Sequence, residues 1–181
     1  MTARFVSRLV VVVVGTLLVQ LTIGLDLRVF GVHPDVTILL PVAAGIVGGA
    51  ADGALVGFVG GLAIDLFVPA PFGLSALVYT LVGFAVGLVM TAAAANLAGV
   101  ERHPWWLVSL VALAASVIAV MLYAVLGALI GQEQMLRLNL AAIAGVVAVV
   151  NAALATPAVK VMGWALRERE VADASAAGGR P

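Results

Sequence analysis

The chain has 181 residues, of which 64% are hydrophobic and only 10% are charged, and its formal net charge is zero. Its mean hydropathy is +1.24. Soluble domains carry about 25% charged residues, so this composition excludes a soluble globular protein and indicates an integral membrane protein. The neutral balance gives no sign of a nucleic-acid partner. The lack of cysteine excludes disulfides, thiol nucleophiles and cysteine metal sites.

Six apolar segments predict an all-α integral membrane protein with six transmembrane helices in one bundle, covering residues 1–165. The first segment follows Arg4 and Arg8 as in a signal peptide, but no small-x-small cleavage site follows it, so we interpret it as an uncleaved span. Residues 166–181 are predicted to be a disordered cytoplasmic tail. The predicted spans are about 6–25, 34–50, 53–68, 72–95, 104–130 and 138–164.

The second and third predicted spans are shorter than the ~20 residues that a membrane-crossing helix needs. They are therefore either thin-spanning helices or a re-entrant pair. A ladder of glycines runs through both of them and ends one step before Asp65. Small residues at a spacing of four allow helices to approach closely in lipid. The ladder consists of Gly45, Gly49, Gly53, Gly57 and Gly61.

The rotation of an α-helix divides this ladder. Each four-residue step turns an ideal helix by ~400°, so the five positions drift by ~160° and cannot all face one partner from a straight helix. Asp52-Gly53 is a turn signal. We therefore predict a helical hairpin with its turn there. Gly45 and Gly49 then lie on the second helix, and the other three lie on the third.

The cations predict that the N-terminus and the C-terminus are both cytoplasmic. With six spans, only Arg28 and Arg137 lie outside, in keeping with the positive-inside rule. An odd number of spans would put the C-terminal cations outside, so the rule favours six over five. The cytoplasmic set is Arg4, Arg8, Arg102, Lys160, Arg167, Arg169 and Arg180, and Trp105, Trp106 and Trp164 fall at the same interface.

A few polar side chains in apolar surroundings are candidates for bundle contacts or partner contacts. Asp65 lies on the small-residue face, where Arg28, Arg137 or His33 could pair with it; alternatively it is an interfacial acid that snorkels to water. Asn151 lies in the middle of a span, where its amide needs a hydrogen-bond partner. A hydrogen bond to another helix is favoured over a contact with a ligand. The candidates are Asp35, Asp65, Ser75, Tyr79 and Asn151, with Gly83 and Gly87 as further packing sites.

No enzymatic constellation can be assembled from the sequence. It contains neither a G-x-x-x-x-G-K-[ST] phosphate loop nor an H-E-x-x-H metal helix. His33 and His103 are predicted on opposite sides of the membrane and cannot share a metal. Ser75 is outside a G-x-S-x-G elbow, and no histidine is placed to activate it. We therefore expect no catalytic residue, no cofactor and no metal site.

Three motifs occur in order over about a third of the chain. They are Gly-Val-His-Pro-Asp at 31–35, Gly-Phe-Val-Gly-Gly-Leu-Ala-Ile-Asp at 57–65, and Pro-Phe-Gly-Leu-Ser-Ala-Leu-Val-Tyr at 71–79. Gly83 and Gly87 follow them. In this order, the motifs resemble the rod shape-determining protein MreD family.

The resemblance implies a non-catalytic component of the bacterial inner membrane that scaffolds and regulates sidewall peptidoglycan synthesis, and so controls cell shape. The implied partners are the lipid bilayer, a single-span MreC-like protein, and through it the MreB filament, RodA and a penicillin-binding transpeptidase. No nucleic acid is implied.

The family is also similar to the substrate-binding components of energy-coupling-factor vitamin transporters, which share a six-helix fold. A ligand-capture subunit is therefore the alternative. Such a subunit should carry polar and aromatic ligand contacts near the outer ends of its helices. The tryptophans are predicted inside and the only tyrosines are Tyr79 and Tyr123, which favours the scaffold.

Overall fold

The structure, a computed structural model, describes residues 3–26, 31–96, 104–132 and 139–178. Its described part contains no β-strand, which confirms the all-α prediction. Each of its five helices is long and apolar enough to cross a membrane, so the chain is a multi-pass membrane protein. The helices are α1 (Ala3–Asp26), α2 (Leu39–Asp65), α3 (Leu74–Asn96), α4 (Trp105–Leu129) and α5 (Leu140–Gly178).

α2 is interrupted at Gly49, which has φ 78° and ψ −168°. Glycine is essentially the only residue that adopts this backbone conformation. We call residues 39–48 α2a and residues 50–65 α2b. The sequence prediction placed the turn at Asp52-Gly53, and this position was wrong, because both residues are helical.

The two arms of α2 fold back on each other. A Cβ atom built on Gly53 would lie 2.9 Å from the Cα of Gly45, whereas eight residues span ~12 Å along a straight helix. A Cβ atom on Gly60 would lie 3.1 Å from Cδ1 of Leu40. The arms therefore form an antiparallel hairpin with its apex at Gly49, and both ends of α2 lie at the same end of the bundle.

Packing between the two arms explains why the apex lies at Gly49 and not at the Asp52-Gly53 turn signal. It places Gly45 opposite Gly53, and neither residue has a side chain to hold the arms apart. The region predicted as two spans is thus one interrupted helix. The count of six spans stays a prediction, since the structure has five helices of spanning length.

All five glycines of the ladder face α3, because the hairpin bends the chain back along that helix. Cβ atoms at four of them would lie closer than 3.0 Å to backbone atoms of α3, and one at Gly49 would lie 3.7 Å from the Thr91 hydroxyl. Gly83 and Gly87 contribute from the α3 side, next to the backbone of Gly53 and of Ala50. The close pairs are Gly45 with Gly83, Gly53 with Gly83, Gly57 with Tyr79, and Gly61 with Ala76.

α5 packs against α1, α2 and α4 and closes the bundle. Its most buried side chains include Val147, Asn151 and Met162. The prediction ended the last span at residue 164, whereas α5 continues to Gly178, through most of the stretch predicted as a disordered tail. The other predicted spans outside α2 agree with α1, α3 and α4 to within three residues.

Candidate functional site

Asp35 is the centre of a hydrogen-bond cluster at the start of α2. Its Oδ1 accepts hydrogen bonds from the backbone N–H of Thr37 at 3.0 Å and from the Thr37 hydroxyl. Its Oδ2 accepts a hydrogen bond from the Tyr79 hydroxyl at 2.7 Å. The first contact is an Asx turn, in which the side chain holds its own backbone. The Tyr79 contact then fastens this turn to α3.

Asn151 connects the same cluster to two further elements. Its Nδ2 donates to the backbone carbonyl of Asp35 at 2.9 Å and to the Ser116 hydroxyl at 3.0 Å. Asn151 and Ser116 are completely buried. Among the described atoms, Oδ1 of Asn151 has no hydrogen-bond partner. Asn151 therefore joins α5 to α4 and to the segment before α2.

Asp65 ends α2 and caps the next helix. Its carboxylate accepts hydrogen bonds from the backbone N–H groups of Gly73, Ser75 and Ala76, at 2.9, 3.2 and 3.3 Å. Helix N-termini present unpaired N–H groups and a partial positive charge. At 5% exposure, Asp65 is buried rather than snorkelling to water. Arg28 and Arg137, two of its predicted partners, lie outside the described residues.

A cavity of about 300 Å³ lies at the end of the bundle that holds Asp35 and Asp65, which we call the acidic end. Its walls come from α3, α4, α5, the end of α2 and the segment before α2. They are mostly apolar, with a few polar side chains. The polar or aromatic lining residues are His33, Asp35, Ser75, Tyr79 and Tyr123.

Sequence reasoning treated Tyr79, Ser75 and Asp35 as separate candidates, and the structure brings all three to this cavity. It missed Thr37, although an aspartate in a turn commonly accepts a hydrogen bond from the backbone N–H two residues on. It also missed Gln20 of α1, which donates to the Pro34 carbonyl and accepts from the Val36 N–H. A lone glutamine in an apolar span is itself a signal of a buried hydrogen bond.

The arrangement supplies hydrogen bonds between helices and a concavity that is suited to binding. Ligand sites are typically apolar concavities with a few convergent polar groups, as here. The oxygens of Asp35 and Asp65 already accept hydrogen bonds that hold helices together. In the described part of the chain, no group of three His, Cys, Asp or Glu residues could hold a metal ion.

The three motifs of the sequence converge in one structural unit. Asp35 from the first contacts Tyr79 from the third. Asp65 from the second caps the helix that begins in the third. Gly57 approaches the Tyr79 backbone. No protein family, curated protein or solved structure matches this chain.

Proposed function

We propose that this protein is a non-catalytic scaffold of the cell-wall elongation complex in the bacterial plasma membrane, similar to the MreD family. The observation that supports this function is the convergence of the three motifs on one unit, formed by α2, α3 and the segment before α2. The residues that carry the resemblance depend on one another in the fold, as the parts of a family signature should.

The use of the polar groups also supports a scaffold. Asp35, Asp65 and Asn151 hold helices together, so the bundle offers a rigid shape rather than a reactive centre. Recognition by partners then depends on the apolar outer faces of the helices. Such faces suit other transmembrane helices, including an MreC-like single span and the cell-wall synthases of the complex.

We propose six membrane crossings, with α2a and α2b supplying two of them. The hairpin returns the chain to the acidic end before α3 begins, which supports termini on one side of the membrane. The positive-inside rule then favours a cytoplasmic N-terminus and C-terminus. The acidic end would face outward, away from Arg8, Lys160 and Arg167.

Deletion of the gene in its own rod-shaped host tests the proposed function. We expect the cells to round up and fluorescent D-amino acids to lose their sidewall pattern. Wild-type protein and Asp52→Ala should restore both, whereas Gly57→Ile, which separates α2b from α3, should restore neither. Unchanged shape and unchanged labelling after deletion would contradict the scaffold.

The cavity at the acidic end favours a second candidate, a ligand-capture subunit of a vitamin transporter. It gathers both tyrosines of the chain with Asp35, Ser75 and His33, which is the feature that the sequence argument found lacking. For this function, deletion should abolish uptake of one radiolabelled vitamin from a panel while the cells stay rod-shaped. Tyr79→Phe, which removes the hydroxyl beside Asp35, should weaken that uptake more than Leu81→Ala, a change on the exposed face of α3.

A further inference from the structure

A second concavity, an apolar groove of about 390 Å³, lies between α1 and α5 and has α2a as its floor. The two helices are antiparallel, since Arg8 near the start of α1 contacts Trp164 near the end of the apolar part of α5. The floor is buried, with Leu40 3% and Ala43 1% exposed. The rims include Val11, Val19, Leu154, Val161 and Trp164, all exposed.

The groove has the length of one lipid leaflet. On α5 it extends from Leu154 to Trp164, which corresponds to about 15 Å at 1.5 Å per residue. This is half of the ~30 Å hydrocarbon core of a bilayer. Because the exposed rims lie on apolar spans, the groove opens sideways to the hydrocarbon, and an apolar chain rather than water suits it.

One end of the groove carries positive charge. The guanidinium of Arg8 donates to the backbone carbonyl of Trp164 at 3.2 Å and lies 4.7 Å from the centre of its ring. Lys160 and Arg167 are exposed on α5 within about one turn of Trp164. We call this the basic end. Tryptophan marks the membrane interface, and basic pockets between transmembrane helices bind anionic headgroups.

We propose that this groove is a binding site for an anionic phospholipid. One acyl chain lies along the floor formed by α2a, and the headgroup phosphate lies beside Arg8. An arginine binds phosphate through charge-assisted hydrogen bonds, and the adjacent apolar groove supplies the energy of chain burial. The site shares no lining residue with the cavity at the acidic end and is independent of the proposed function.

Gly15 offers a way to fill the groove without disturbing the fold. It lines the groove, and a Cβ atom built on it would meet no atom within 4 Å. Gly15→Leu therefore places a side chain where the acyl chain is proposed. Gly145→Leu is its matched control, because Gly145 is equally open but is outside the groove lining.

The test uses the full chain in detergent and measures lipid binding by native mass spectrometry. The probes are phosphatidylglycerol and phosphatidylcholine with identical acyl chains. We expect the wild-type protein and the Gly145→Leu variant to bind phosphatidylglycerol at least tenfold more tightly than phosphatidylcholine. Arg8→Gln should reduce this preference at least fivefold. Gly15→Leu should weaken binding of both lipids.

Two results would overturn the proposal. One is an equal affinity of the wild-type protein for the two lipids. The other is unchanged phosphatidylglycerol binding by both Arg8→Gln and Gly15→Leu. If Gly15→Leu instead blocks association with a partner's transmembrane helix and leaves lipid binding intact, the groove is a helix-docking site.

Discussion

Asp65 illustrates how a chain this apolar keeps a carboxylate inside its bundle. Its two oxygens receive three backbone N–H groups from the first turn of α3 and the residue before it. The negative charge lies at the positive end of the α3 dipole, so the carboxylate needs no cation. The acid and the helix N-terminus satisfy each other, and each would be costly to bury alone.

We expect Asp65→Leu to lower the free energy of unfolding by about 1–3 kcal/mol, because it leaves buried donors of α3 without an acceptor. Asp52→Ala is the comparison, since Asp52 is only half-buried at the hairpin apex, and it should lower stability less than Asp65→Leu does. Unfolding midpoints in detergent measure both. A membrane pull-down should rank the variants in the same order, and equal, wild-type-like behaviour of both would contradict this role.

At the scale of elements, the α2 hairpin and α3 form the tightest interface of the molecule, and its closest contacts are between backbone atoms. The seven packing glycines predicted from the sequence all lie in it. Without side chains, the helices approach until the backbone atoms touch, which maximises dispersion contacts in lipid, where no hydrophobic effect drives helix association.

Gly57→Ala should be enough to disrupt this interface. Its Cβ atom would overlap the backbone of Tyr79 and Thr80, which cannot move as a side chain can. We expect a loss of about 1–3 kcal/mol from overpacking, and a larger loss for Gly57→Ile. Gly145→Ala, at an open helical position, should be neutral or stabilising by up to about 1 kcal/mol. Equal melting temperatures of Gly57→Ala and Gly145→Ala would exclude close packing at Gly57.

Gly49→Ala tests the hairpin apex, because it strains the backbone conformation at this position without crowding a neighbouring atom. The nearest atom to an added Cβ is the Thr91 hydroxyl at 3.7 Å, so there is room, but the backbone conformation is unfavourable for alanine. Strain of this kind costs about 1–3 kcal/mol. Gly49→Asn should lose as much, since asparagine favours the left-handed helical region and not this one. A wild-type melting temperature for either variant would argue against the interrupted helix.

The hairpin was predictable from the glycine spacing, because rotation excludes a straight helix. The position of its apex was not predictable. The Asp52-Gly53 turn signal reflects only a local preference of the backbone, whereas the apex at Gly49 depends on the approach of Gly45 to Gly53 between the two arms. The inward face of Asp65 was predictable as well. Its partners were not, because backbone N–H groups have no residue type and leave no mark in a sequence.

At the scale of the whole molecule, the hairpin in α2 determines at which end of the bundle each of the later helices begins. α1, α3, α4 and α5 each run once along the bundle, and α2 runs out and back. The start of α1 and the end of the apolar part of α5 lie together at the basic end, where Arg8 contacts Trp164. Under the positive-inside rule, this end is the one that we propose to face the cytoplasm.

Introduced cysteines can test this arrangement, because the chain has none of its own. A membrane-impermeant maleimide should label Thr2→Cys and Ser175→Cys only from the cytoplasmic side, and Ala70→Cys only from outside. With six crossings, Ala51→Cys at the hairpin apex should react from the cytoplasmic side. Labelling of position 2 or 175 from outside would refute the orientation. Lack of reaction at position 51 from either side would make α2 a re-entrant hairpin.

The lengths of the two arms of α2 have a consequence for biosynthesis. At 1.5 Å per residue, α2a and α2b are about 15 and 24 Å long, so neither reaches across the ~30 Å hydrocarbon core unless the bilayer thins around it. We therefore expect the two arms to enter the membrane together as a pair. On this view, Gly49→Ala should lower the amount of protein found in the membrane as well as its melting temperature.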